Sequence, residues 1–171
     1  IMYQTNYVRA SSTDDALAKL GDEAKLLAGG MTLLPTMKQR LASPETLIDL
    51  ADCGLAGIED LGDAVKVGAM TRHVDVETSG IVAKNIPALA SLAAKIGDRQ
   101  VRNRGTIGGS IANNDPSACY PSAALALNAT VHTNTRDIAA DDFFVGMFET
   151  ALEEDEMITE VSFPKPAAAA Y

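Results

Sequence analysis

The chain has 171 residues, 47% of them hydrophobic, which is enough to bury a sizeable core in one full domain or two small subdomains. A formal net charge of -9, aromatics at 5% and no Trp argue against a nucleic-acid or anionic-membrane surface and against base-stacking platforms. Nine acids and no Lys or Arg fall between Asp137 and Glu160, which leaves 14 acids against 14 bases elsewhere, so the whole net charge belongs to one late segment.

In chain order, Ser11-Ser12-Thr13-Asp14-Asp15 offers N-cap oxygens and first-turn acids, and Ala16, Leu17 and Leu20 give a short helical stripe that Gly21 can end. Lys25 to Ala28 reads as a buried strand. Gly29-Gly30 breaks it, and Leu33, Leu34, Met37 and Leu41 then recur at helical spacing, with Pro35 tolerable in the first turn. Leu47 to Leu50 reads as another strand, and Gly57-Ile58-Glu59 with Val65-Lys66-Val67 as a hairpin. Thr71 to Glu77 fits a helical turn. Pro87 followed by Leu89, Leu92, Ala93 and Ile96 predicts an amphipathic helix ending near Gly97. From Arg99 to Pro116 the texture is polar and glycine-rich, with Val101, Ile107 and Ile111 as its few apolar anchors. Pro121 to Ala129 predicts a helix, Thr130 to Thr133 with Asp137 to Ala139 a hairpin, and Asp141 to Leu152 a helix or loop. Met157 to Phe163 predicts a strand with Met157, Thr159, Val161 and Phe163 on one face. Pro164-Lys165-Pro166 and four alanines read as a linker. This alternation of short strands and helices indicates a mixed α and β architecture.

Two segments carry candidate chemistry. In Leu27 to Pro35, two glycines at a strand-to-helix corner allow positive φ and close ligand approach, while first-turn N–H groups can face an anion. A diphosphate fits that geometry, and so does a tight turn that merely needs Gly-Gly. In Arg99 to Pro116, three arginines lead into a glycine turn followed by Ser110, Asn113, Asn114 and Asp115. Such polar groups can hold a sugar alcohol chain, with glycine N–H groups at phosphate. The alternative is a solvated loop whose arginines pair with the acidic segment. Neither GxGxxG nor GxxxxGK[ST] is present.

Elsewhere the chemistry is sparse. His73 and His132 lack partners at metal-ligand spacing and read as surface or hairpin histidines, so no metal residue is assigned. Cys53 and Cys119 are too few for a disulfide scaffold or an all-cysteine cluster, and Cys119 reads as a buried small side chain. Met31 and Met37 read as core filler. No GxSxG elbow, triad or carboxylate pair assigns a catalytic residue. No run approaches ~20 apolar residues, and Ile1-Met2-Tyr3-Gln4-Thr5 lacks the layout of a signal peptide, so a cytoplasmic location is expected.

The two glycine segments, Ala28 to Pro35 and Arg102 to Pro116, together with Leu47 to Leu50, Val67 to Thr71 and Glu156 to Val161, resemble in order the FAD-binding medium subunit of molybdenum hydroxylases of the carbon monoxide dehydrogenase and xanthine dehydrogenase type. The resemblance implies an α+β, two-subdomain FAD-binding fold of the vanillyl-alcohol-oxidase/PCMH type, residues 1–55 forming one subdomain and 56–171 the other, without the C-terminal subdomain of the family. It implies that Leu27, Ala28, Gly29, Gly30, Met31, Thr32, Leu33 and Leu34 wrap the diphosphate. Thr106, Ile107, Gly108, Gly109 and Ser110 would supply a second donor set, with Asn113 and Asp115 beside them. Ile96 and Ile158 would lie near the flavin ring, and Cys119 stands where several relatives carry a cofactor-binding acid. The implied function is electron transfer: a partner small subunit with [2Fe-2S] clusters and a large subunit with the molybdenum cofactor would exchange electrons with an external acceptor through FAD. A self-sufficient flavin oxidase or reductase and a non-catalytic assembly module are the rival readings. Most of the nine late carboxylates are expected to form an exposed face toward basic partner surfaces.

Overall fold

The computed structural model describes residues 2–171. The first five elements alternate: β1 (Asn6–Arg9), α1 (Thr13–Lys19), β2 (Ala24–Leu27), α2 (Leu33–Lys38) and β3 (Thr46–Asp49). Ser12 caps α1 by accepting the Asp15 N–H, as the sequence indicates. The strands form a parallel sheet in the order β1-β3-β2, with Val8 and Leu26 both in register with Ile48. Ile48 is therefore central, and it is fully buried with Ala10 and Ala16, beside buried Leu50. Leu41 does not join the α2 stripe. Arg40 turns into the left-handed region at φ 61°, the helix has already ended, and Leu41 is exposed.

A second sheet follows, introduced by the expected hairpin of β4 (Ile58–Asp60) and β5 (Ala64–Gly68). A helical stretch comes next: α3 (His73–Glu77), α4 (Gly80–Asn85), α5 (Pro87–Ala94), α6 (Arg99–Arg102), α7 (Ile107–Asn113) and α8 (Cys119–Ala126). The chain then forms β6 (Thr130–Thr133), β7 (Asp137–Ala139), the turn α9 (Ala140–Phe143), a small hairpin of β8 (Phe144–Gly146) and β9 (Glu149–Thr150), and β10 (Ile158–Pro164). The five-stranded sheet has the order β4-β5-β10-β6-β7 and is antiparallel throughout. Its core is the larger one and includes Val67, Leu89, Ile107, Ile111, Tyr120, Val161 and Phe163.

Three departures from the sequence reading have local causes. Residues 99–113, expected as a polar glycine-rich turn, fold into two helices because Asp98 caps α6 through the Val101 N–H and Thr106 caps α7 through the Gly109 N–H. Ile107 and Ile111 then bury completely on one face of α7. Helix α4 went unanticipated and starts at Ser79, whose hydroxyl takes the Val82 N–H. In β10 a register shift between Ile158 and Glu160 breaks the alternation. Met157 consequently packs into the first core, Ile158 into the second, and Thr159 is only half-buried.

Candidate functional site

The first glycine segment leaves the C-terminal end of β2, turns through buried Gly29 and Gly30, and enters α2. Gly30 has φ +74°, a conformation L side chains rarely adopt. The Leu34 N–H closes the first turn on the Gly30 carbonyl at 3.1 Å. Among the described residues, the N–H groups of Gly29, Gly30, Met31 and Thr32 find no acceptor. Four unbonded donors at one corner form an electropositive concavity suited to an anion. Thr32 lies beside them, exposed and with its hydroxyl unengaged; Met31, expected as core filler, is 39% exposed, whereas Met37 is buried.

The second glycine segment packs directly on the first. A Cβ at Gly29 would lie 2.1 Å from the Arg104 carbonyl oxygen and 2.9 Å from the Gly105 Cα, so the two backbones touch. A Cβ at Gly109 would lie 3.6 Å from Ala28 Cβ, which places that face of α7 against the same corner. Along α7 the positions 106, 109, 110 and 113 share a side at helical spacing. The side chains of Ser110 and Asn113 are half-buried there and make no hydrogen bond among the described residues.

The α7 amides, by contrast, are already used. Ile107 N–H donates to the Thr71 carbonyl at 3.0 Å, Gly108 N–H to the Ala69 carbonyl at 2.9 Å, Gly109 N–H to Thr106 Oγ1 at 3.2 Å and Ser110 N–H to the Thr106 carbonyl at 3.1 Å. The first two lash α7 to the segment that follows β5, and the last two cap the helix. Gly108 is glycine because a Cβ there would sit 2.7 Å from Ala69. The groups of the second segment left without a partner are thus side chains, and its glycines serve close packing. Asp115 is also engaged, its Oδ1 accepting the Ser117 N–H at 2.8 Å in a turn that leads into α8.

The arginines divide by role. Arg102 is structural: it donates to Glu77 at 3.0 Å and to the carbonyls of Ile96 and Gly97. Arg99 and Arg104 are exposed and have no ion pair among the described residues, so neither pairs with the acidic segment. Ile96, Ile158 and Cys119 all pack on the larger core. Half-buried Cys119 accepts the Tyr171 hydroxyl at 3.4 Å, and Lys95, the neighbour of Ile96, lies 4.9 Å above the Tyr171 ring centroid.

His73 is the residue that sequence reasoning missed. Expected at the surface or in a hairpin, it is 5% exposed beneath the glycine contact. Its N–H donates to the Gly105 carbonyl at 3.0 Å, and its Nε2 would lie 2.5 Å from a Cβ at Gly105. Burial, with the Arg102 charge adding to it, pulls its pKa down to about 4. Its Nδ1 and the hydroxyl of Tyr120, whose ring stands 5.3 Å away, are both buried without a hydrogen-bond partner among the described residues. The sequence carries no signal for it, since a helix of only five residues, His73–Glu77, does not distinguish an inward from an outward ring. His132 is the expected hairpin histidine, bridging Asp137 and Ser162 at 2.7 Å each.

A separate open cleft of about 420 Å³ is lined by Gly54 to Glu59, Lys66, Gly68, Thr159 and Glu160 and includes neither glycine segment. Lys66 stands in it between Glu59 at 2.8 Å and Glu160 at 3.6 Å, so its charge is already matched. No group of three potential metal ligands occurs among the described residues, and no helix there is long and apolar enough to cross a membrane.

Residues 3–166 match the family described as the FAD binding domain in molybdopterin dehydrogenase. The chain belongs to this family. The nicotine 6-hydroxylase medium subunit of Paenarthrobacter nicotinovorans is 42% identical over 165 residues, covering 92% of this chain and 58% of the relative. The carbon monoxide dehydrogenase medium chain of Hydrogenophaga pseudoflava is 46% identical over 153 residues, covering 86% and 53%. The solved carbon monoxide dehydrogenase from Hydrogenophaga pseudoflava, in a form lacking the Mo-pyranopterin moiety, superposes with a TM-score of 0.95 at 44% identity, over 98% of this chain and 61% of that one. The chain thus spans somewhat more than half the length of these relatives, which are subunits of oxidoreductases by name. Membership in the FAD-binding family bears out the resemblance drawn from the glycine segments and the α+β class expected with it.

Proposed function

We propose that this chain is the FAD-holding, electron-transferring part of a molybdenum hydroxylase complex, with residues 1–55 and 56–171 as its two cofactor-binding subdomains. Partner subunits carrying iron–sulfur clusters and the molybdenum cofactor would complete the complex, in keeping with the medium-subunit names of its relatives. One observation carries the reading: the unbonded amides from Gly29 to Thr32 are held by backbone contact against the open polar face of α7. The donor set fits FAD in kind, since free N–H groups suit an anionic diphosphate and the side chains of Thr32, Ser110 and Asn113 suit sugar hydroxyls. Arg104, whose backbone touches Gly29, carries a positive charge with no ion pair among the described residues, and the acidic segment lies elsewhere in the sequence.

When bound, FAD supplies one- and two-electron redox chemistry. The chain's residues bind and orient it. The Gly29 to Thr32 amides would hold the diphosphate, Ser110 and Asn113 the hydroxyl chain, and the apolar side chains of Ile96 and Ile158, with Cys119, would lie near the ring. No side chain has to move a proton on an organic substrate, which agrees with the absence of a recognisable general acid or base in the sequence.

Flavin absorbance of the purified native complex, followed by FAD reconstitution after stripping, tests this. Replacing both Thr32→Ala and Ser110→Ala removes two neutral hydrogen bonds, each worth about 1 kcal/mol, so FAD should bind about thirtyfold more weakly. A native complex with neither flavin bands nor FAD uptake would sink the proposal. Turnover of an organic substrate by the chain without partners would favour the self-sufficient oxidase instead.

A further inference from the structure

The β8–β9 hairpin is the largest feature for which cofactor binding gives no reason. Its root is firmly seated: Phe143 is fully buried, stacks edge-on against Phe144 at 5.1 Å, and accepts the Ala151 N–H at 2.8 Å through its carbonyl. Its tip does the opposite. Val145, Met147 and Phe148 are 60%, 73% and 57% exposed, three large apolar side chains within four residues. The two-residue loop joining Gly146 to Glu149 needs left-handed backbone, and Phe148 supplies it at φ +57°. Gly or Asn would adopt that conformation with less strain, so the sequence accepts strain to place an aromatic ring in solvent.

The tip is also rigid. Asn114, at the end of α7, donates from Nδ2 to the carbonyls of Gly146 at 2.7 Å and Glu149 at 2.9 Å, and its own carbonyl takes the Phe148 N–H at 3.0 Å. Asn114 is buried and left-handed itself, at φ 43°. A pre-formed apolar projection loses little entropy on docking. Around it in sequence stand Asp141, Asp142, Glu149, Glu153, Glu154 and Asp155. All six are exposed, and none has an ion pair among the described residues.

We propose that the hairpin tip is a subunit-docking knob in which Met147 and Phe148 enter an apolar pocket rimmed by Lys and Arg on a partner subunit, the six carboxylates meeting that rim. The proposal rests on the reading of the chain as one subunit of a complex. Charge decides between the possible occupants: a second copy would bring six like charges against six, whereas a basic rim is attracted. Apolar anchors inside a charged ring are the usual anatomy of a strong contact, with the anchors setting dissociation and the ring setting association rate and salt dependence.

The test is co-expression of the chain with the large and small subunits of its complex, with assembly followed by sedimentation and flavin content measured on the same samples. Met147→Asp with Phe148→Asp, both on solvent-exposed side chains, should weaken assembly at least tenfold and leave flavin content unchanged. The milder Met147→Gln should weaken it by a smaller factor, and Leu41→Asp, at an equally exposed apolar position, should have no effect. Reversal of Glu153 and Glu154 to Lys should also weaken assembly and flatten its dependence on salt. Wild-type affinity in the double variant would overturn the knob while flavin retention still supported the cofactor reading; absent flavin in wild type would instead overturn the cofactor reading. A wild-type chain that dimerises alone, and stops doing so in the double variant, would assign the tip to a second copy and refute the proposal.

Discussion

Gly29→Ala isolates the backbone contact between the two glycine segments. The φ of Gly29 is not positive, so alanine meets no intrinsic backbone strain there, and the whole effect comes from the added methyl. That methyl would lie 2.1 Å from the Arg104 carbonyl oxygen, well short of the 3.4 Å at which ordinary van der Waals contact begins. The obstructing atom is main chain, so no rotamer change relieves the clash, and the two segments must separate by about 1 Å. Overpacking of this kind costs about 1–3 kcal/mol, and a main-chain obstacle places Gly29→Ala near 3. Reduced freedom of the unfolded chain returns about 0.5 kcal/mol, leaving a net loss of about 2.5 kcal/mol. Gly21→Ala is the control: nothing lies within 4 Å of its Cβ, its φ is not positive, and it should be neutral or stabilising by about 0.5 kcal/mol. Urea unfolding should show a lower midpoint at unchanged slope for Gly29→Ala only, and its FAD should be lost at lower denaturant. Equal midpoints for the two variants, with flavin retained in both, would refute the claim that this contact builds the site.

Two further predictions concern acid stability. The folded-state pKa of His73, about 4 against an ordinary 6.5, means that the unfolded chain takes up a proton first as pH falls, so stability declines from pH 6.5 to 4 and levels off below. The decline attributable to His73 is about 3 kcal/mol, and the stability difference between wild type and His73→Leu, measured by urea unfolding across that window, should change by that order; a constant difference would contradict burial of a neutral ring. Glu156, buried in the acidic segment, accepts from Arg136 Nε and Nη2 at 2.9 Å, Thr133 at 2.7 Å, Thr135 at 3.0 Å and the Glu153 N–H, and the Arg136 guanidinium holds its pKa down to about 2. Glu156→Gln should cost about 2–4 kcal/mol at pH 7, with the gap to wild type closing as pH falls from 4.5 toward 2, where the wild-type carboxyl takes up its proton; a gap independent of pH would show that the charge is not what the network uses.

The acidic segment shows how far sequence alone reaches. Its exposure was expected and is largely observed, but Glu156 is an internal anchor, Asp137 is paired with His132, and Glu160 with Lys66. Charge density along the chain marks a solvated face, and only the fold decides which member turns inward. Strands such as Thr46–Asp49 and Ala64–Gly68 were legible because an apolar run or a strict alternation has few other uses. The helices at Arg99–Arg102 and Ile107–Asn113 were not, since four to seven residues give too little periodicity and their caps read equally well as polar loop. His73 was illegible for a related reason: a five-residue helix has no periodic face against which to judge one ring.

The glycines are where legibility of the site and of its mechanism part. Both segments were recognisable from composition, yet one residue type serves two physical ends in them. Gly30 is needed for its positive φ, which opens the row of unbonded amides. Gly29, Gly105 and Gly108 are needed because a methyl would strike Arg104, His73 or Ala69. A sequence motif records that glycine is required and is silent on whether a ligand or another part of the chain requires it. Here the second segment's tightest glycines are spent on the protein itself: they let α7 and the turn before it pack against Ala69 and His73, on a helix whose Ser110 and Asn113 side chains make no hydrogen bond among the described residues. Donor glycines in the first segment and packing glycines in the second are therefore complementary: without the close approach that the latter allow, the amides of the former would have no opposing wall.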